Sequence, residues 1–183
     1  MNIKSLSAAL IMLAAFTIMA ACGKRDRQAG DFTAAELAMI HESDSIMRVL
    51  TIDAPSDLAV LRSLSYDLSD SALLSDDFKR LAELMVATVT HPSQDGVGIA
   101  GPQVGLNRRV VAVQRFDKEG EPFEVYPNVR IVWASDSLAA GPEGCLSVPD
   151  RRGEVLRPQE IVIEYADITG IEHSLQQNRL ESN

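Results

Sequence analysis

The spacing of apolar residues changes from a helical period to an alternating one after a glycine-rich stretch at residues 95–105. The clearest helical pattern lies before that stretch, at residues 75–92. Ser75 or Asp76 can cap this predicted helix, and Pro92 ends it. Its apolar face is predicted to contain Phe78, Leu81, Ala82, Met85 and Val89. We therefore expect one amphipathic helix that packs against the core.

Strand patterns dominate after the glycine-rich stretch. Residues 108–116 and 129–133 are predicted strands, and residues 123–126 are predicted to pair back on the first of them across a polar turn. Residues 160–168 alternate in polarity. One face of that strand would carry Ile161, Ile163 and Tyr165. Helices followed by hairpin strands are typical of an α+β fold with antiparallel sheet.

The first 22 residues have the form of a secretory signal, with an early positive charge, an apolar run and small residues before Cys22. The Ala-Ala-Cys end of this segment resembles a bacterial lipobox, whose cysteine carries lipid. An ordinary cleaved signal and a retained anchor are the alternatives. Residues 23–31 are then predicted to be a polar tether. The chain is predicted to be exported and held on a membrane of a bacterial envelope.

Two segments between the tether and the long helix have signals of their own. A capping box at residues 33–36 predicts a short helix. Residues 47–54 are predicted to be extended, with Pro55 as the break. The folded domain is predicted to span residues 32–173 and to be followed by a polar tail at 174–183.

The composition of the 183 residues, with 46% hydrophobic and 23% charged positions, fits one globular domain. The net charge of -9 argues against a nucleic-acid partner, because phosphate binding needs basic patches. The chain has two cysteines, Cys22 and Cys145. If Cys22 carries lipid, Cys145 is a lone thiol in an oxidising compartment. We expect it to be either buried or held by a group such as a metal.

The glycine-rich stretch contains G-x-G-x-x-G at Gly96, Gly98 and Gly101, the pattern of a dinucleotide-binding loop. That loop needs a strand before it and a helix after it. The predicted order here is the reverse, so a dinucleotide site is not expected. The glycines indicate either a tight connection between helix and strand or close approach of a ligand. In the second case Gln103 could donate its amide to an oxyanion.

A second unusual segment lies at residues 142–158, where "EGCLS" places Cys145 beside Glu143. Together with "GVGIAGPQ" at residues 96–103, it resembles the first two signature motifs of bacterial peptide deformylases. These metallohydrolases remove the formyl group from N-formylmethionyl peptides. The resemblance extends from about residue 48 to about residue 170. It implies a peptide deformylase-like α+β fold with antiparallel sheets packed on helices.

The resemblance also implies roles for matching residues. Cys145 would be a thiolate ligand of Fe²⁺, or of Zn²⁺ or Ni²⁺ as substitutes. The backbone N–H of Leu146 and the side-chain amide of Gln103 would hold the formyl oxygen. Gly101 replaces the second of two alanines that the family usually has. We expect the missing methyl to loosen the local packing only slightly.

The remaining matches concern the substrate. Val97, Gly98 and Gly144 would line the cleft and pair with the substrate backbone as an added strand. Arg152 matches an arginine near the far end of the substrate. Glu143 would orient its neighbours rather than act on the substrate. The partners implied are formylated or other short peptides, besides the membrane that the lipid anchor would reach.

The third family motif, His-Glu-x-x-His on a helix, does not occur in this sequence. In the family it supplies two metal ligands and the general acid/base. His41, His91 and His173 are predicted to be surface or capping residues. A hydrolytic metal site wants three protein ligands, so metal binding by this chain is doubtful. We expect a fold that lacks the C-terminal metal-binding helix and leaves exposed the apolar face of Ile161, Ile163 and Tyr165.

Three functions follow from these patterns. The first is a metal-dependent amide hydrolase of the deformylase family, whose C-terminus here is a truncation, a frameshift or a divergent end, so that this chain alone is inactive. The second is an exported, lipid-anchored relative without catalysis that keeps the peptide-binding cleft. The third is a structural lipoprotein in which both motifs occur by chance.

Overall fold

The computed structural model describes residues 29–166 and the backbone of residues 172–178. The predicted signal, with Cys22 at its end, lies outside the described residues. Strand β1 (Ala29–Gly30) pairs in parallel with β2 (Asp67–Leu68). The end of the predicted tether is therefore part of the folded domain, which begins by residue 29 rather than at 32.

Four α-helices occur among the described residues: α1 (Ala34–Glu42), α2 (Pro55–Leu61), α3 (Asp70–Leu73) and α4 (Asp76–Thr90). The predicted capping box is confirmed at α1. Thr33 Oγ1 accepts from the Glu36 N–H at 3.2 Å, and the Glu36 carboxylate accepts from the Thr33 N–H at 2.7 Å. Proline begins α2, where its fixed φ suits the first turn, rather than only ending the extended segment before it.

Helix α4 confirms the strongest sequence pattern. Ser75 caps it, with Oγ accepting from the Phe78 N–H at 3.2 Å. The predicted apolar face is buried, apart from Ala82, which is half-buried. Leu84 and Thr88 are buried as well, and Thr88 Oγ1 accepts from the Met47 N–H at 2.8 Å. This bond ties the segment before α2 to the centre of the domain.

The first antiparallel sheet has the order β3-β4-β5. Its strands are β3 (Gly98–Ala100), β4 (Val110–Gln114) and β5 (Phe123–Pro127). The predicted hairpin between the last two is confirmed by their pairing. The core forms where this sheet packs on α4, with Leu81, Met85 and Val110 nearly inaccessible.

The remaining strands form a second sheet and a long hairpin. The sheet has the order β10-β9-β6, with β6 (Arg130–Ala134), β9 (Glu160–Ala166) and β10 (Glu172–Asn178). The hairpin consists of β7 (Leu138–Cys145) and β8 (Val148–Pro158). Strand β10 includes residues 174–178, which were predicted to belong to the polar tail. The side chain of His173 lies outside the described residues.

The predicted exposure of the β9 face is wrong for its central residue. Ile163 is buried, and the ring of Tyr165 packs edge-on against Tyr126, with 4.8 Å between ring centroids. Exposed large apolar side chains occur instead on β6, β7 and β8, and include Ile131, Val132, Trp133, Leu138 and Leu156.

The predicted α+β class is confirmed, with antiparallel sheets packed on helices. Among residues 29–166 and 172–178, no α-helix follows α4. No helix in this part of the chain has the length and apolarity needed to cross a membrane.

Candidate functional site

A short 3₁₀ helix (Gly101–Val104) follows β3 and carries Gln103. The turn ends at Gly105, whose φ of 90° lies in the left-handed region that favours glycine. The side-chain oxygen of Gln103 accepts from the Ala100 N–H at 2.9 Å. This bond orients the side-chain amide and leaves Nε2 as a donor on its other side.

The long hairpin brings the second motif to Gln103. A two-residue turn, Leu146–Ser147, joins β7 to β8. Gln103 Nε2 lies 3.9 Å from Cys145 Sγ and 3.3 Å from Ser147 Oγ. The structure thus brings together the predicted residues Gln103, Cys145 and Leu146. The chemical roles assigned to them stay predictions.

The turn is seated on the helical part of the domain. Leu146 packs against the core, and a Cβ placed on Gly96 would come within 3.0 Å of both Leu146 and Val89. A larger residue at position 96 would therefore require the Leu146 or Val89 side chain to shift by a few tenths of an ångström. Ser147 is buried although it is polar, because its hydroxyl accepts from Gln103. Sequence reasoning missed Ser147, although it is the last residue of the second motif.

Residues 48–52, here called the bridging segment, contact both motifs through their backbone. The Leu50 N–H donates to the Gln103 carbonyl at 2.8 Å. The Ile52 N–H donates to the Ser147 carbonyl at 2.9 Å. The predicted extended segment is not a strand: residues 47–51 have no regular secondary structure, and residues 52–53 form a turn. The function of the two amides was not predicted. The two loops are therefore held in register by a third piece of chain.

Strand β3 offers an edge for a further strand. In the part of the chain that the structure describes, β3 pairs only with β4. Val97 precedes it and is 58% exposed. A Cβ on Gly98 would make only ordinary contacts, at 3.5 Å from Ala112 O and Val113 Cγ1. Packing inside the protein therefore does not require glycine at this position.

The hairpin carries the other predicted site residues. Glu143 is paired with Arg157 on the opposite strand at 2.8 and 2.9 Å, and this guanidinium holds the pKa of Glu143 below its usual range. Sequence reasoning missed Arg157. Gly144 lies opposite Arg152 across the same hairpin, and both are exposed. The observed partner of the Glu143 carboxylate is therefore a cross-strand arginine, and its orienting role in the motif stays a prediction.

The predicted effect of Gly101 on packing is wrong. A Cβ there would lie 2.7 Å from the Arg108 carbonyl oxygen and 2.9 Å from that of Leu106. Both distances are too short for a methyl group, so the backbone of residues 106–108 occupies the space. Glycine at this position permits a closer turn and does not loosen the packing.

The described donor set does not fit a three-ligand metal site. Cys145 is exposed and free of any disulfide, so the alternative that it is buried is wrong. No group of three His, Cys, Asp or Glu residues in the described part of the chain could hold a metal ion. His41 is paired with Asp77 at 2.8 Å, and His91 lies 2.8 Å from the Ser93 hydroxyl. Cys145, which the sequence predicted as a metal ligand, is among the described residues.

The chain is similar in sequence and in fold to proteins of one family. A family model described as polypeptide deformylase matches residues 46–183. A peptide deformylase from Leptospira biflexa is 35% identical over 137 residues, which are 70% of this chain and 73% of that protein. A class I type b peptide deformylase from Acinetobacter baumannii has a TM-score of 0.66 at 30% identity, covering 75% of this chain and 86% of its own. Its structure with bound Met-Ala-Ser has a TM-score of 0.64 at 29% identity, covering 74% and 85%.

Proposed function

Because the chain belongs to the polypeptide deformylase family, we propose that the cleft between β3 and the Cys145 turn binds N-formylated peptides. The observation that carries this proposal is the approach of Gln103 Nε2 to within 3.9 Å of Cys145 Sγ. An amide donor and a thiol from distant parts of the chain thus lie side by side, as binding of a formyl group next to Cys145 would require.

The substrate backbone would add to the free edge of β3 as a further strand. Gly98 has no side chain that would hinder this approach. Contacts inside the protein do not require glycine at this position. Val97 and Gly144 would line the cleft, and Arg152 would lie near the far end of the peptide. The Acinetobacter baumannii relative with bound Met-Ala-Ser supports a short peptide as the ligand.

Two donors would hold the formyl oxygen. One is Gln103 Nε2, which the Ala100 bond already orients. The other is the backbone N–H of Leu146, at the turn of the hairpin. Donors fixed before the reaction stabilise developing charge without the cost of reorganising. This part of the family's chemistry is therefore compatible with the described residues.

Peptide deformylases are metalloenzymes, and a bound metal such as Fe²⁺, Zn²⁺ or Ni²⁺ would activate water for hydrolysis. Cys145 could supply one ligand. The described residues do not add the two further ligands that such a site wants. We therefore expect this 183-residue chain to bind formyl peptides but not to hydrolyse them.

The test uses the purified chain with formyl-Met-Ala-Ser, with Fe²⁺ or Ni²⁺ added. We expect saturable binding by calorimetry and no release of formate. Gln103→Ala should weaken binding of the formyl peptide more than that of unformylated Met-Ala-Ser, because it removes one donor to the formyl oxygen. Turnover at ordinary deformylase rates would disprove the inactivity, and a lack of any binding would disprove the cleft.

The alternative function is a non-catalytic, exported peptide-binding lipoprotein. It is favoured by the apolar, signal-like residues 1–22, with Cys22 as the lipidated position. Expression in a bacterium fed a labelled fatty acid tests it. We expect label on the chain and none on the Cys22→Ala variant, whereas label on neither would reject lipidation.

A further inference from the structure

Asp57, on the first turn of α2, contacts the bridging segment at two points. Its carboxylate accepts two bonds from the Arg48 guanidinium, at 3.1 and 2.7 Å. It also accepts from the Thr51 N–H at 3.2 Å. The Asp57 side chain is only 6% exposed. Two-bond pairing of arginine with a carboxylate fixes geometry more strictly than a single contact does.

These contacts fix the segment that holds the two motifs. Arg48 and Thr51 are bonded to Asp57, and the residues beside Thr51 are the two donors, Leu50 and Ile52. The two donating amides flank Thr51, the residue whose own N–H is bonded to Asp57. The Leu50 amide reaches the loop of Gln103, and the Ile52 amide reaches the turn of Ser147.

We propose that Asp57 is a positioning residue that sets the separation between the Gln103 amide and the Cys145–Ser147 turn. The proposal rests on the proposed function, in which Gln103 donates to the formyl oxygen. Asp57 acts through the bridging segment. Loss of its carboxylate would release Arg48 and the Thr51 amide, and the two motif loops would then lose their common reference.

The test compares Asp57→Asn with the matched control Asp67→Asn. Asp67 is also a buried aspartate paired with arginines, at 2.8 Å from Arg109 and 2.6 Å from Arg130, but it belongs to β2. Both variants should lower thermal stability. The distinguishing measurements are amide hydrogen exchange and the side-chain resonance of Gln103 in ¹⁵N-glutamine-labelled protein, assigned with Gln103→Glu.

In Asp57→Asn we expect the Leu50 and Ile52 amides to exchange about tenfold faster, since a locally lost contact favours local opening. The Gln103 side-chain resonance should shift. In Asp67→Asn, exchange of the Leu50 and Ile52 amides should be unchanged once the loss of global stability is taken into account. The Gln103 side-chain resonance should not shift. Unchanged Gln103 resonance in Asp57→Asn, or an equal change in the control, would overturn the proposal.

A milder variant covers the case in which Asp57→Asn does not fold. Arg48→Lys keeps the charge but cannot donate the two parallel bonds. We again expect faster exchange of the two amides and a shifted Gln103 resonance, both with smaller amplitude. An unchanged Gln103 resonance would overturn the proposal. Neither readout needs a peptide or a metal. Failure of the positioning role is therefore distinguishable from failure of formyl-peptide binding.

Discussion

The helical region, residues 29–127, and the strand region, residues 130–166, differ in how they bury apolar surface. Nearly all buried apolar side chains among the described residues belong to the helical region, and the strand region contributes Ile163 and Ala166. The strand region exposes large side chains such as Trp133 and Leu156. Stability is therefore concentrated in one region, whereas the thiol of the candidate site is carried by the other.

The two regions also treat charge differently. In the helical region Arg108 is buried, bonds to Glu36 at 2.7 and 2.8 Å, and donates to the carbonyls of Gly30, Asp31 and Asp67. In the strand region the Arg157–Glu143 pair is exposed to solvent. Removing one partner of the buried pair would leave an uncompensated buried charge, whereas solvent screens the exposed pair.

Removing the buried arginine should have the largest effect. We expect Arg108→Ala to lower the free energy of unfolding by about 3–5 kcal/mol, because Glu36 is left buried without its partner. The matched change in the strand region, Arg157→Ala, should cost about 0–1 kcal/mol. Urea unfolding of both variants measures the difference. Equal costs would show that the two regions do not differ in this respect.

Removing apolar volume should follow the same division. Leu81→Ala should lower the free energy of unfolding by about 2–5 kcal/mol, since this side chain is fully buried against the first sheet. Leu156→Ala, at a position that is 64% exposed, should change it by less than about 0.5 kcal/mol. Thermal unfolding provides the comparison. A large loss in Leu156→Ala would indicate that the hairpin is covered in solution.

The smallest predicted effect is on how stability depends on acidic pH. Burial raises the pKa of Glu36, but hydrogen bonds from Arg108 and Thr33 outweigh it, so the pKa falls below its ordinary 4.5. Its stabilisation is thus present above about pH 4.5 and is lost as pH falls through the lower folded value. The gap in stability between wild type and Glu36→Gln should therefore narrow on acidification. For the Glu143→Gln control, we expect a small difference in stability from wild type at every pH. A Glu36→Gln difference that stays constant with pH would contradict the prediction.

Local patterns were sufficient to predict much of this molecule. Helix α4 and the β4–β5 hairpin follow from periodicity because each buries one face. The approach of Gln103 to Cys145 followed from motif resemblance. The contact between Arg48 and Asp57 has no periodic signal, since tertiary packing creates it. Strand β10 was missed because its polar sequence does not alternate, and pairing with β9 imposes the strand.

The position of Cys145 has a mechanical consequence. Strand β7 has eight residues and spans about 26 Å at ~3.3 Å per residue, with the sulfur at its far end. A tilt of about 10° at the base would displace that end by about 4–5 Å, more than the 3.9 Å that separates the sulfur from Gln103 Nε2. The hairpin behaves as a lever arm whose tip error grows with its length. The backbone bond from Ile52 to Ser147, together with the packing of Leu146 on the core, opposes this displacement at the tip, where the displacement is largest.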